Sequence, residues 1–255
     1  MTWNVWGRFG DWQQREQAII ETLASVRPDV LALQETWSTP STTQAEILGG
    51  KLGMDATFAR SRMPIDPDPD VQLGLAVLSR WPILNISRHR LSEDDRGATD
   101  ALAVEIGHPD GSLHFMTACM DWEEDHGEQR RVQAQGLRSL ITDPDRDGLL
   151  PVVLAGDLDA PPETPEITTL TSVATDCWAH SHQEPGHTYS SANPYLGHGE
   201  WLEDGRIDYV LARPGSLGGS LDVQATALAG LHAGRYPVPS DHYAVVADVT
   251  PGEPA

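Results

Sequence analysis

The chain has 255 residues and a formal net charge of −21, from 38 acidic against 17 basic side chains, with Lys51 as its only lysine. That length suits one large core, so residues 1–255 are read as a single domain, and the sparse basic residues disfavour tight non-specific binding to a phosphate backbone. No apolar run approaches a membrane span, the opening MTWNVWGRFGDW lacks a secretory signal, and Cys119 and Cys177 are too few for a disulfide framework, so a cytoplasmic protein with free thiols is expected.

In chain order, apolar runs with strand character fall at Trp3 to Trp6, Val30 to Leu33, Leu73 to Leu78, Ile83 to Leu91, Ala101 to Ile106, Leu113 to Met120, Val152 to Ala155, Ile207 to Ala212, Leu221 to Leu228 and Tyr243 to Val249. Two stretches have helical periodicity. Trp12 to Val26 puts Ile19, Leu23 and Val26 on one face, and Glu128 to Ile141 does so with Val132, Leu137, Leu140 and Ile141. Hairpin-spaced strands with helices between them predict an α/β (α+β) fold of two sheets packed face to face and covered by helices. Residues 178–206, rich in Gly, His, Pro and Asn, read as a long loop.

Polar residues interrupt or end these strands. They are Asn4, Glu35 closing LALQE, Asp157 and Asp159 in VVLAGDLD, Asp208 in RIDYVLA, and Asp241 with His242 before the last strand. A buried strand tolerates an ionisable group only when the group is paired or bound to a cation. Converging at one end of a β sandwich, these groups would make an oxygen-rich site for a hard divalent ion, Mg2+ or Mn2+. On a continuous strand, Asp157 and Asp159 would project from the same face, two like charges close together; the other reading of PVVLAGDLDAPP is a solvated turn.

The segments TWNVWGRFGDW, DVLALQETW, GLAVLSRWPI, VVLAGDLDAPPETPEI, RIDYVLA and PSDHYAVVADV, in this order from Thr2 to Val249, resemble the successive motifs of the endonuclease/exonuclease/phosphatase superfamily. The resemblance implies a four-layer α/β/β/α sandwich of two packed mixed sheets flanked by helices, and divalent-metal phosphoester hydrolysis. Carried over by position, it makes Asn4, Glu35 and Asp241 metal-site residues. Asp157 becomes the carboxylate that orients water or holds a second cation, and Asp208 the hydrogen-bond partner of a catalytic His242.

Two positions depart from that pattern. The family usually carries Asn where this chain has Asp159; Asn can donate to a phosphoryl oxygen and ionised Asp cannot, so Asp159 is either protonated against Asp157, or a metal ligand, or no longer in touch with the phosphoryl group, and metal binding is the favoured reading. The family's deoxyribonuclease-like members carry His where LHFMTACMDW has Cys119, a site residue here or an inert small apolar one. Arg96 is a candidate phosphate contact, or a solvated salt bridge. Trp6, Trp37 and Trp122 are candidates for an aromatic rim on the substrate, or for core packing. His180, His182, His187 and His198 match no familiar metal spacing.

The expected function is a Mg2+- or Mn2+-dependent phosphoesterase acting on a small phosphomonoester or phosphodiester. The alternatives are a DNA or RNA nuclease, and a binding protein or an enzyme diverted from phosphate chemistry, which Cys119 and Asp159 keep open. The sequence leaves oligomeric state undetermined.

Overall fold

The computed structural model describes residues 1–61, 68–92, 99–196, 204–231 and 237–252. In chain order these form β1 (Thr2–Asn4), α1 (Trp12–Val26), β2 (Val30–Ser38), α2 (Gln44–Leu52), β3 (Asp55–Arg60), β4 (Gln72–Ser79), β5 (Ile83–Arg90), β6 (Asp100–His108) and β7 (Gly111–Ala118). They continue with α3 (Gly127–Ile141), β8 (Val152–Asp157), α4 (Pro165–Thr171), β9 (Thr175–Asp176), α5 (Cys177–Ser181), β10 (Asp208–Arg213), β11 (Leu221–Ala229) and β12 (Ala244–Pro251).

The strands form two six-stranded sheets, ordered β11-β12-β1-β2-β4-β3 and β5-β6-β7-β8-β10-β9. Both are mixed: β1 and β2 run parallel, as do β7 and β8, while their other neighbours pair antiparallel. Side chains alternate between the two faces of a strand, so each central strand feeds two apolar layers. On β2, Leu31 and Leu33 join Ile19, Leu23 and Leu48 under α1 and α2, while Val30 and Ala32 face the other sheet. On β8, Val152 and Leu154 meet Leu137, Ile141, Ile167 and Leu170 beneath α3 and α4, and Val153 and Ala155 face inward. Three apolar layers between four structural layers make the α/β/β/α sandwich. Each fully buried Leu or Val contributes about 1.5–3 kcal/mol, which fixes the strand registers.

Several elements lay outside the periodic runs. Thr43 and Glu46 form a capping box at the start of α2, and Pro165 opens α4, both readable helix-start signals. Strand β3 is an edge with little full burial. The segment read as a loop from residue 178 instead begins inside α5, whose N-cap Asp176 accepts from the amides of Trp178 and Ala179. No helix among the described residues is long and apolar enough to cross a membrane.

Candidate active site

The site lies where β1, β7 and β8 end and β10 begins, beside Glu35 within β2. Asn4 is the last residue of β1 and pairs in register with Gln34 of β2. Strict alternation would send Glu35 to the helix side with Leu33. The β2–β4 register slips between Leu33 and Thr36, however, and Glu35 takes a φ of 53°, which turns its carboxylate to within 2.9 Å of Asn4 Nδ2. Trp6 (φ 55°) and Asp159 (φ 47°) are also left-handed. Such backbone costs on the order of 1–3 kcal/mol per residue, and here it gathers around one cluster of polar side chains.

The second sheet contributes a row. Asp208 is the register partner of Asp157 on one side, and Cys119 pairs with Asp157 through a parallel bridge on the other. Gly156 permits this approach: a Cβ there would stand 2.3 Å from the Ala118 carbonyl oxygen. Asp157 Oδ2 is the meeting point. It accepts from Asn4 Nδ2 at 2.9 Å, and it lies 3.9 Å from both His242 Nε2 and Cys119 Sγ.

His242 is seated from behind. Its Nδ1–H donates to Asp208 Oδ2 at 2.9 Å, its carbonyl accepts from Trp3 Nε1 at 3.0 Å, and its ring meets the Tyr189 ring edge-on at 5.2 Å. The amides of Ile207 and Asp208 both donate to Thr188 Oγ1 at 3.1 Å, which fixes the start of β10. Ser240 Oγ donates to the Asn4 carbonyl at 2.7 Å and receives the His242 amide at 3.2 Å, tying the last loop to β1. Asn193 Nδ2 donates to the carbonyls of Ser240 and Asp241, at 2.9 and 3.0 Å.

Burial raises the Glu35 carboxyl to about 7, with the neighbouring charge of Asp241 adding to it. Asp157 also rises to about 7, through burial and then the charge of Asp208. Burial and Asp157 push Asp159 well up, and burial raises Asp241. For His242 burial opposes the charged form, but Asp208 and Asp157 outweigh it and hold the imidazole well above its usual value. Buried acids in this state seek a proton or a cation. Asp208 is fully buried and its Oδ1 has no hydrogen-bond partner, a further sign of missing positive charge. Carboxylate oxygens from Glu35, Asp157 and Asp241 fit a hard divalent ion, while Asn4 turns its Nδ2 to Glu35 and Asp157 and its Oδ1 accepts from the Trp6 amide at 3.0 Å.

The sequence candidates sort by position. Asn4, Glu35, Asp157, Asp159, Asp208, Asp241, His242 and Cys119 come together. Asp159 does so by a turn rather than by strand alternation, because β8 ends at Asp157; its own amide donates to Asp157 Oδ1 at 3.3 Å. Trp37 does not form a rim: it is 3% exposed, edge-on to Trp12 at 5.7 Å and covered by the Arg8 guanidinium 3.9 Å from its ring centre. Trp6 packs its ring 4.9 Å from that of Tyr195 and 6.1 Å from that of Phe9, with the Arg15 guanidinium 4.8 Å from its centre. Trp122, 45% exposed, sits on the β7–α3 connection. Arg96 and His198 lie outside the described residues. His182 stacks on Trp178 at 4.2 Å, and His187 faces Asp204 at 3.8 Å.

Sequence reasoning missed Arg15. It is fully buried on α1 and gives six hydrogen bonds to the carbonyls of Val5, Trp6, Gly7, Phe9 and Pro239, holding the loop that follows Asn4. An arginine four residues before Ile19, on the apolar face of an amphipathic helix, was the available signal. Ser240 stood in the quoted PSDH segment without a role.

The fold recurs in solved structures. Truncated TDP2 from Caenorhabditis elegans is 19% identical, with a TM-score of 0.76 over 98% of this chain and 95% of that one. TDP2 from D. rerio, complexed with a single-strand DNA product, is 18% identical with a TM-score of 0.78, covering 98% and 97%. The human Nocturnin catalytic domain with a bound sulfate anion is 19% identical with a TM-score of 0.73, covering 97% and 92%. No curated protein matches the sequence. The sequence profile of the Endonuclease/Exonuclease/phosphatase family spans residues 1–242. With that match over nearly its whole length, the chain belongs to the endonuclease/exonuclease/phosphatase family.

Proposed function

We propose that the protein is a divalent-metal-dependent phosphoesterase that hydrolyses a small phosphomonoester or phosphodiester. The observation that carries this reading is the alignment of Asp208, His242 and Asp157, in which a buried carboxylate fixes one ring nitrogen and leaves the other facing a second carboxylate.

Asn4, Glu35 and Asp241 would hold the metal, Mg2+ or Mn2+, with Asp157 and Asp159 flanking it. When bound, it supplies positive charge to the carboxylates and to the phosphoryl oxygens. Asp157 accepts a hydrogen bond from the attacking water and directs its lone pair at phosphorus, and the fixed position replaces a search in solution. His242 carries the mobile proton at Nε2. Asp208 stabilises the imidazolium that results and keeps Nδ1 protonated. Asn4 Nδ2 bonds Glu35 and Asp157 together, so the two sheets present their carboxylates at a fixed spacing.

A groove of about 580 Å³ runs beside the site, its lining including Pro161, Glu163, Trp178, Tyr189, Glu184 and Asp204. Its guanidinium, Arg206, is committed to Asp176 at 2.8 Å. The groove's three carboxylates, Glu163, Glu184 and Asp204, stand beside Arg206, His182 and His187, and the net charge of −21 favours a small ester over a polyanion. A nuclease is the second reading, supported by the similarity to the TDP2 that is complexed with a DNA product.

The test is a screen of the purified protein with Mg2+ or Mn2+ against bis-p-nitrophenyl phosphate, p-nitrophenyl phosphate, plasmid DNA and sphingomyelin. Turnover confined to the small esters supports the first reading and DNA nicking the second. Silence on all four with metal bound points to a protein diverted from phosphate chemistry.

A further inference from the structure

Cys119 occupies an unusual place for a cysteine. It packs partly on the apolar layer between the sheets, yet its sulfur sits 3.9 Å from Asp157 Oδ2, beside the register partner that also meets Asp208. The row across β7, β8 and β10 thus reads thiol, carboxylate, carboxylate. Asp159 closes it from the turn beyond Asp157. One ligand atom each of Cys119, Asp157 and Asp159 lie within 4.8 Å of one another, close enough for small rotations to bring all three onto one ion.

Carboxylates crowd the surroundings of Cys119, where Asn4 Nδ2 at 2.9 Å and the Asp159 amide at 3.3 Å donate to Asp157. Asp208, next in the row, is fully buried with an oxygen that has no hydrogen-bond partner, and His242 already serves Asp208 through Nδ1. A weak S–H donor facing Asp157 leaves that excess of negative charge in place, whereas a cation shared by the sulfur and the two carboxylates offsets it.

We propose that Cys119 is a metal ligand, and that its sulfur with one oxygen each of Asp157 and Asp159 binds a divalent cation of borderline softness, of the Zn2+, Co2+ or Cd2+ type. Binding replaces the thiol proton: the S–H bond breaks, the S–metal bond forms and one proton leaves to solvent. A thiolate donor gives this side of Asp157 a preference over Mg2+ that the oxygen ligands Asn4, Glu35 and Asp241 do not have. The proposal rests on the reading of Asp157 as part of a cation site.

Co2+ titration of the full chain under reducing conditions tests it, because a thiolate ligand gives a near-ultraviolet sulfur-to-cobalt charge-transfer band. The chain has two cysteines, so the assignment is direct. The band is expected in the wild type and in Cys177→Ser, and is expected to vanish in Cys119→Ser while Co2+ still binds at the oxygen ligands. Cys119→Ser should also weaken Cd2+ binding by about tenfold or more and leave Mn2+ binding nearly unchanged, a contrast that misfolding would not produce. Asp159→Asn should weaken the band without removing it. Co2+ binding without a band, or a band that survives Cys119→Ser, overturns the proposal and leaves the proposed function standing. No binding of Co2+ or Mn2+ at all overturns both.

Discussion

Asp208 and His242 come from segments 34 residues apart and meet in a buried 2.9 Å hydrogen bond, with the Asp208 amide itself fixed by Thr188. Replacing Asp208 with Asn keeps the shape but removes the charge that stabilises an imidazolium. Under the proposed function, kcat should fall by roughly 10²–10⁴-fold with KM little changed. Steady-state kinetics with a melting curve to confirm folding would check this; unchanged kcat would remove His242 from proton transfer.

The pH dependence of stability follows from the raised acids. Glu35 and Asp157 sit near 7 in the folded chain against ordinary values of 4.5 and 3.8, so between those limits the folded state binds more protons than the unfolded one. Metal-free protein should therefore lose stability as pH rises from about 4 through about 7. His242 acts in the same direction: its raised value adds stability below its ordinary 6.5, which is lost as pH climbs past the folded value. A divalent ion needs the ionised carboxylates, so the Tm gain on adding Mg2+ should grow with pH. Thermal melts with chelator and with Mg2+ across the range measure both slopes.

Arg15 should prove structural. Its loss removes six hydrogen bonds to five carbonyls, of which that of Trp6 still accepts from the Phe9 amide at 3.3 Å, and Arg15→Ala is expected to cost about 3 kcal/mol or more in denaturant unfolding. Lysine has three donors on a single nitrogen against the five of a guanidinium fork, so Arg15→Lys should recover little. Full stability in Arg15→Lys would contradict the clamp.

Gly156→Ala tests the close approach of β7 and β8. The new methyl would meet the Ala118 carbonyl at 2.3 Å, backbone against which no side chain can swing away. A loss of about 1–3 kcal/mol is expected, together with weaker metal binding as Cys119 and Asp157 are pushed apart.

Much of this was legible before any coordinates. Helix α1 falls on the predicted Trp12 to Val26, because Ile19 and Leu23 repeat with helical spacing over a long stretch. The seven polar residues that interrupt or border predicted strands gather at one end of the sandwich, because burying an ionisable group is tolerated only in company. The legible part ends where local geometry breaks the period. Alternation assigns Glu35 to the wrong face, and only the bulge after Leu33 restores it. Asp159 reaches Asp157 through a left-handed turn that strand periodicity cannot express. Trp37 looked like a rim residue because it follows Glu35 in sequence, but β2 continues to Ser38 and carries it into packing with Trp12. Residues 178–206 concealed a helix one turn long, too short to show a period.

The central claim is that buried carboxylates from both sheets hold a cation at the sandwich mouth. Crystals grown with Mn2+ test it through anomalous scattering. The account predicts a peak bounded by Asn4, Glu35 and Asp241, lost in Glu35→Gln. A saturating Mn2+ soak with no peak there, or with peaks only at surface carboxylates, would contradict it.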